Sequence, residues 1–289
     1  MSIAPGNFTK LMRYNSPLFL GSLVLAIGVS APSVSHAQDP KALLLKMGQT
    51  YRSLNSLESV STVSSRVTKD KTTLQEGTTT VTLRYAKPNK LMLDIARPQG
   101  SLRAYSDGTT FYAYDVTHSL YIRGKAPTDI KGLLPLLYAS MGVVANFDPL
   151  YFLANPSLPP ELISLKFVGY QTYEGAPVVV VSGVMQRKEQ VVKNPKGGTV
   201  RLPAITENWT WMIDRNTSLL KKCESTNTNV TLFANQKQGN TVKRTQIKAM
   251  QFSRHRVGSA KPNVAVADSV FHFAPPPGSS MKADLSKGK

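Results

Sequence analysis

Apolar and polar positions follow two periods along this chain, and the change between them sets out its organisation. Leu43, Met47, Tyr51 and Leu54 recur at helical spacing behind Asp39-Pro40, an N-cap followed by proline at the first helical position, which predicts an amphipathic helix over roughly 40–55. The period then drops to two. Val81, Leu83 and Tyr85 alternate with Thr80, Thr82 and Arg84, and Leu91, Leu93 and Ile95 alternate with Met92, Asp94 and Ala96, so two strands flank a turn at Pro88-Asn89-Lys90. Further strands are expected near 101–106, 110–115 and 119–123, with Asp107-Gly108 as a hairpin turn.

The middle of the chain returns to the helical period. Ile130, Leu133, Leu134, Leu137, Tyr138 and Met141 form one apolar stripe, with Pro135 either kinking the helix or opening it. Asp148-Pro149 starts a short helix carrying Tyr151 and Phe152. Strands resume near 163–171, 176–185, 206–213, 218–225, 228–235 and 243–255, divided by turn signals at Glu174-Gly175, 194–198 and 214–216. Sequential strands with short turns predict an antiparallel meander, and a sheet of about ten to eleven strands tends to curl. The expected fold class is therefore α+β: a strongly curved antiparallel sheet, an open half-barrel, covered by a few helices. The same pattern fits a closed sheet whose interior is filled by side chains.

The first 37 residues read as a targeting segment. Lys10 and Arg13 precede an apolar run from Leu18 to Val29 that is too short to span a bilayer, and Ser35-His36-Ala37 supplies small residues at −3 and −1. Cleavage is expected after Ala37, leaving an exported periplasmic chain with one domain over 38–280 and a basic flexible tail over 281–289. No cysteine follows the apolar run, so no lipid anchor is expected.

Charge and composition narrow the function. Thirty-five Lys and Arg against seventeen Asp and Glu give a net charge of +18. In an exported chain this favours an anionic membrane surface or an acidic envelope protein over nucleic acid. The basic residues gather in Arg187–Arg201 and again from Lys243 onward. The lone cysteine, Cys223, excludes an internal disulfide. Beyond residue 37 only His118, His255 and His272 occur, without metal-ligand spacing, and no nucleophile elbow, phosphate loop or dinucleotide fingerprint is present. No enzyme, cofactor or metal is expected.

Several stretches together resemble the periplasmic LolA/LolB-like lipoprotein-carrier superfamily, closest to its predicted periplasmic proteins of unknown function. They are the helix ending Tyr51-Arg52-Ser53-Leu54, the strand–turn–strand from Tyr105 through Asp107-Gly108 to Tyr114-Asp115, the hairpin Trp211-Met212-Ile213-Asp214 with Thr217 and Leu219, and the closing Phe271-His272-Phe273 with Pro276 and Gly278. The resemblance implies a half-barrel enclosing a hydrophobic cavity and a non-catalytic partner, a lipid or acylated lipoprotein. On that expectation the chain is a carrier or sensor holding an acyl chain. Leu133, Leu134, Leu137, Tyr138 and Met141 would form an apolar lid, with Tyr151 and Phe152 beside it. Replacing Leu137 and Met141 by aspartate would then abolish ligand uptake and leave the sheet folded. The alternative is a non-enzymatic envelope protein-interaction module with a filled core and no ligand.

Overall fold

A computed structural model describes residues 38–143, 147–155, 157–193, 199–202, 204–238 and 241–282. The expected targeting segment, the turn at 194–198 and all but the start of the basic tail lie outside them.

Helix α1 (Pro40–Ser53) begins where the Asp39 carboxylate accepts the Lys41 N–H at 2.9 Å. It buries Leu44, Met47, Gly48 and Tyr51, one face at spacings of three and four. Six strands follow: β1 (Ser56–Lys69), β2 (Thr72–Ala86), β3 (Lys90–Arg97), β4 (Gly100–Ser106), β5 (Thr110–Asp115) and β6 (Leu120–Lys125). Helices α2 (Ile130–Met141) and α3 (Pro149–Ala154) form the insert. Then come β7 (Leu162–Tyr173), β8 (Ala176–Arg187), β9 (Gln190–Lys193), β10 (Thr199–Leu202), β11 (Ile205–Asp214), β12 (Leu220–Gln238) and β13 (Thr241–Pro262). A single 3-10 turn, Asp268–Phe271, leads to β14 (Ser280–Met281).

Both insert helices are capped by aspartate, Asp129 to Gly132 N–H and Asp148 to Tyr151 N–H, each at 2.8 Å. α2 stops at Gly142, whose φ of +65° is the left-handed conformation that glycine adopts without a Cβ penalty. Pro135 sits inside α2 rather than opening it.

Twelve strands make one sheet in the order β14-β6-β5-β4-β3-β2-β1-β13-β12-β11-β8-β7, with β9 and β10 as a separate hairpin. All its pairings are antiparallel except β14 with β6. The join between the two meanders is β1 with β13, from Leu57 opposite Pro262 to Thr68 opposite Met250. β1 was not expected from the sequence, and it is the strand on which the two halves meet. The stretches 218–225 and 228–235, expected as two strands, are one strand with an irregularity between Asn227 and Val230.

The strongly curved half-barrel is not formed. The sheet is open and mostly antiparallel, with β14 and β7 as unjoined ends. Closure needs two edge strands in compatible stagger. Here one edge is a two-residue parallel strand, and the other carries irregularities at Leu162/Ser164 and at Phe167/Gly169 that interrupt a continuous ladder.

The β6 edge is covered by the C-terminal segment. Ser280 N–H donates to Ser119 at 2.9 Å and Lys282 N–H to Tyr121 at 2.8 Å. Phe273 anchors this segment among Tyr105, Tyr112, Tyr114 and Tyr121, with ring centroids 5.2–5.7 Å away. Nothing comparable covers β7 among the described residues.

Candidate functional site

The space beneath the insert is filled mainly by rings. Trp211 is fully buried and stacks on Trp209 at 5.8 Å, and Phe147 meets both edge-on at 4.9 and 5.2 Å. Phe152 stacks on Tyr51 at 5.9 Å. The Tyr51 hydroxyl accepts the Leu220 N–H at 3.2 Å, so the one polar atom of that ring is used inside the core. Burial raises the Tyr51 and Cys223 pKa values, leaving both protonated at neutral pH.

The residues expected to form a lid fall into this packing. Leu133, Leu137, Met141 and Phe152 are core members; Leu134 and Tyr151 pack partly buried against them. Tyr138 points outward and is 64% exposed. The hydrophobic-ligand reading is therefore corrected: the sheet does not curl around a cavity, and the stripe that would cover an acyl chain packs into the chain's own core.

What remains open is a recess of about 360 Å³ beside α3. Its floor is polar. Alternation along β1 turns Ser59, Ser61 and Val63 toward it, and β12 and β13 contribute matched pairs: Cys223 opposite His255, Ser225 opposite Ser253, and Asn227 opposite Gln251. One wall is apolar, from Val81, Leu83, Leu93 and Ile95 on β2 and β3. Trp209 lines the opposite side, its indole N–H donating to Glu207 at 3.2 Å. Arg97 and Asp148 also line the recess.

Two floor residues leave polar atoms without a partner among the described residues, Ser59 Oγ and His255 Nε2. Ser59 is 2% exposed and His255 is 9% exposed. Sequence reasoning set His255 aside because it has no partner at metal-ligand spacing. The signal that could have found it was the run of polar residues at alternate positions on neighbouring strands.

Burial lowers the His255 pKa, and the carboxylate of Asp148 partly opposes that shift. The imidazole is thus neutral in the folded chain while the unfolded chain protonates near pH 6.5. Stability from this group is complete above about 6.5 and is lost as pH falls below it, because the unfolded state then binds more protons. The wild-type urea midpoint is expected to fall between pH 7.5 and 5.5, and His255→Gln is expected to remove that part of the fall. Parallel pH profiles for both proteins would refute the assignment.

The remaining histidines serve turns and surface. His118 Nδ1 lies 2.8 Å from Asp115, and His272 Nδ1 lies 3.8 Å from Asp107. Among the described residues no group of His, Cys, Asp or Glu could hold a metal ion, and no helix is long and apolar enough to cross a membrane.

The second open feature is the β7 edge. Ile163 is 60% exposed, Val168 49% and Tyr170 45%. Ile163 and Val168 are the extra residues at the two ladder irregularities, so both apolar side chains are displaced from regular pairing. Arg215 lies over the Tyr170 ring at 4.4 Å. The basic stretch expected over 187–201 falls mostly on β9, β10 and the turn between them, and its side chains beyond Glu189 lie outside the described residues.

An open α+β sheet with a packed aromatic core and no catalytic or metal-binding constellation among the described residues defines the class of protein. Residues 41–192 match the family described as predicted periplasmic protein, DUF2092, and the chain belongs to that family. No curated protein matches it. Among solved structures it is similar to the Pseudomonas aeruginosa MucA/MucB complex, at 12% identity and a TM-score of 0.39, covering 82% of this chain and 62% of that one. It is similar to the lipoprotein LppX of Mycobacterium tuberculosis, at 12% identity and a TM-score of 0.35, covering 80% and 99%. It is also similar to a LolA superfamily protein from Nitrosomonas europaea, at 8% identity and a TM-score of 0.30, covering 82% and 99%.

Proposed function

We propose that the chain is a non-catalytic protein-interaction module of the cell envelope, exported to the periplasm with cleavage after Ala37. The observation that carries this reading is the unequal treatment of the two sheet edges. The β6 edge is covered by the chain's own C-terminal segment, whereas the 12-residue β7 is left open with Ile163, Val168 and Tyr170 exposed. Exposed edges with apolar side chains are aggregation hazards unless something covers them. The irregularities in β7 disfavour simple extension of the ladder, so the partner packs on these side chains rather than adding a regular strand.

The occupant is an extended segment of an acidic envelope protein. A net charge of +18 repels a second copy and attracts an anionic surface. The test places a photo-crosslinking residue at Ile163 or Val168 in living cells, with Leu74, exposed on β2, as the control. One adduct of the same mass is expected from both β7 positions and none from the control. Val168→Lys should weaken that complex about 30-fold, the loss of an anchor contact of about 2 kcal/mol. Absence of an adduct at both β7 positions overturns the reading.

A further inference from the structure

We infer that the polar-floored recess is a second docking site, which takes about four uncharged residues of a partner peptide in extended form. The inference rests on the reading of the chain as an interaction module and assigns chemistry to a surface that the β7 edge does not explain.

The inward face of a sheet packed under helices is ordinarily apolar. Here the three central strands β1, β13 and β12 turn hydroxyls, amides and an imidazole inward instead. A fully buried polar atom without a partner is costly. Ser59 Oγ and His255 Nε2 are two such atoms within one recess, and neither has a packing role that an alanine or leucine would not fill better. They are explained if a partner supplies the missing hydrogen bonds.

The chemistry selects the partner. An anion finds only Arg97 for charge pairing, with Asp148 and Glu207 opposing it. A cation finds Glu207 already engaged by Trp209 and facing Arg187 at 3.6 Å. A hydrocarbon chain would strip water from the floor hydroxyls without replacing their hydrogen bonds. An extended peptide meets both sides of the recess: its amides face the serines, Gln251 and His255, and its apolar side chains face Leu93 and Ile95. Crossing from β2 to β12 spans three strand spacings, about 14 Å, or about four extended residues.

The experiment pans a displayed random-dodecapeptide library against the chain purified from its own periplasm. Affinities of selected synthetic peptides are then read from tryptophan fluorescence, since Trp209 lines the recess. The expected result is a family of peptides sharing an uncharged run of about four residues, each shifting the emission. Ser253→Leu, which fills the recess, should lower affinity at least tenfold. Ser59→Ala, which removes one hydroxyl with little change in volume, should lower it severalfold with an unchanged urea midpoint. Val168→Lys should leave peptide affinity unchanged. Peptides that bind equally to Ser253→Leu, or that share a charged run, or a library that yields no binder, overturn the inference. So does an emission shift with chitooligosaccharides that the selected peptides fail to produce. The module reading fails separately, through loss of the β7 cross-link.

Discussion

Trp211→Ala is expected to destabilise the chain by about 3–5 kcal/mol, the range for removing a large ring from a packed core. Trp211 is fully buried, stacked on Trp209 at 5.8 Å and edge-on to Phe147 at 5.2 Å. The space it fills has been cleared on the neighbouring strand. A Cβ at Gly183 would fall 3.1 Å from the Trp211 ring and 2.8 Å from the Ser164 carbonyl oxygen, so glycine is what lets β7, β8 and the indole approach one another. The loss is a large share of a typical stability of about 5–15 kcal/mol. Trp211→Phe should cost much less. It keeps a ring in place and removes an indole N–H that has no partner among the described residues. Urea unfolding followed by far-UV circular dichroism measures both. A midpoint for Trp211→Ala within 1 kcal/mol of wild type, taken as an order-of-magnitude threshold, would mean the ring stack is not the centre of the core.

The elements that were legible in the sequence are those in which local chemistry and burial agree. α1 carries a cap, a proline and a clean stripe, and the turns at Pro88–Lys90 and Asp107-Gly108 stand between strands whose alternation is plain. The strand β1 was hidden because its inward positions include Ser59 and Ser61, which pattern reading takes for solvent-facing residues. The same substitution of polar for apolar residues makes the recess floor. The feature that concealed a central strand is thus the feature that marks the site. An analogous break hid the continuity of β12, where Asn227 faces the recess and the ladder slips before Val230. Curvature was illegible for another reason. Alternation records which face of a strand is covered, but closure depends on the stagger of its two ends, here an irregular β7 and a two-residue β14.

Leu137→Asp is expected to destabilise the fold by about 4–6 kcal/mol, combining the loss of a buried leucine with an unpaired charge in the core. The stripe on α2 predicts a covered face equally well whether it covers a ligand or the protein's own interior, and the two cases differ in what a charge does there. A lid over a cavity can swing into solvent and leave the sheet intact. Leu137 instead is fully inaccessible beside Leu133 and the rings of α3. Its carbonyl also accepts the Val143 N–H at 3.3 Å, tying the residue to the turn that ends the helix. Tyr138, one position further on, is the internal control. It is 64% exposed, and Tyr138→Asp should change stability by no more than about 0.5 kcal/mol. Urea midpoints of the two variants separate the cases. A large loss at Leu137 with none at Tyr138 identifies α2 as a fixed wall of the core. Equal, wild-type midpoints would restore a detachable lid, and the packed interior on which the interaction reading stands would then have to be abandoned.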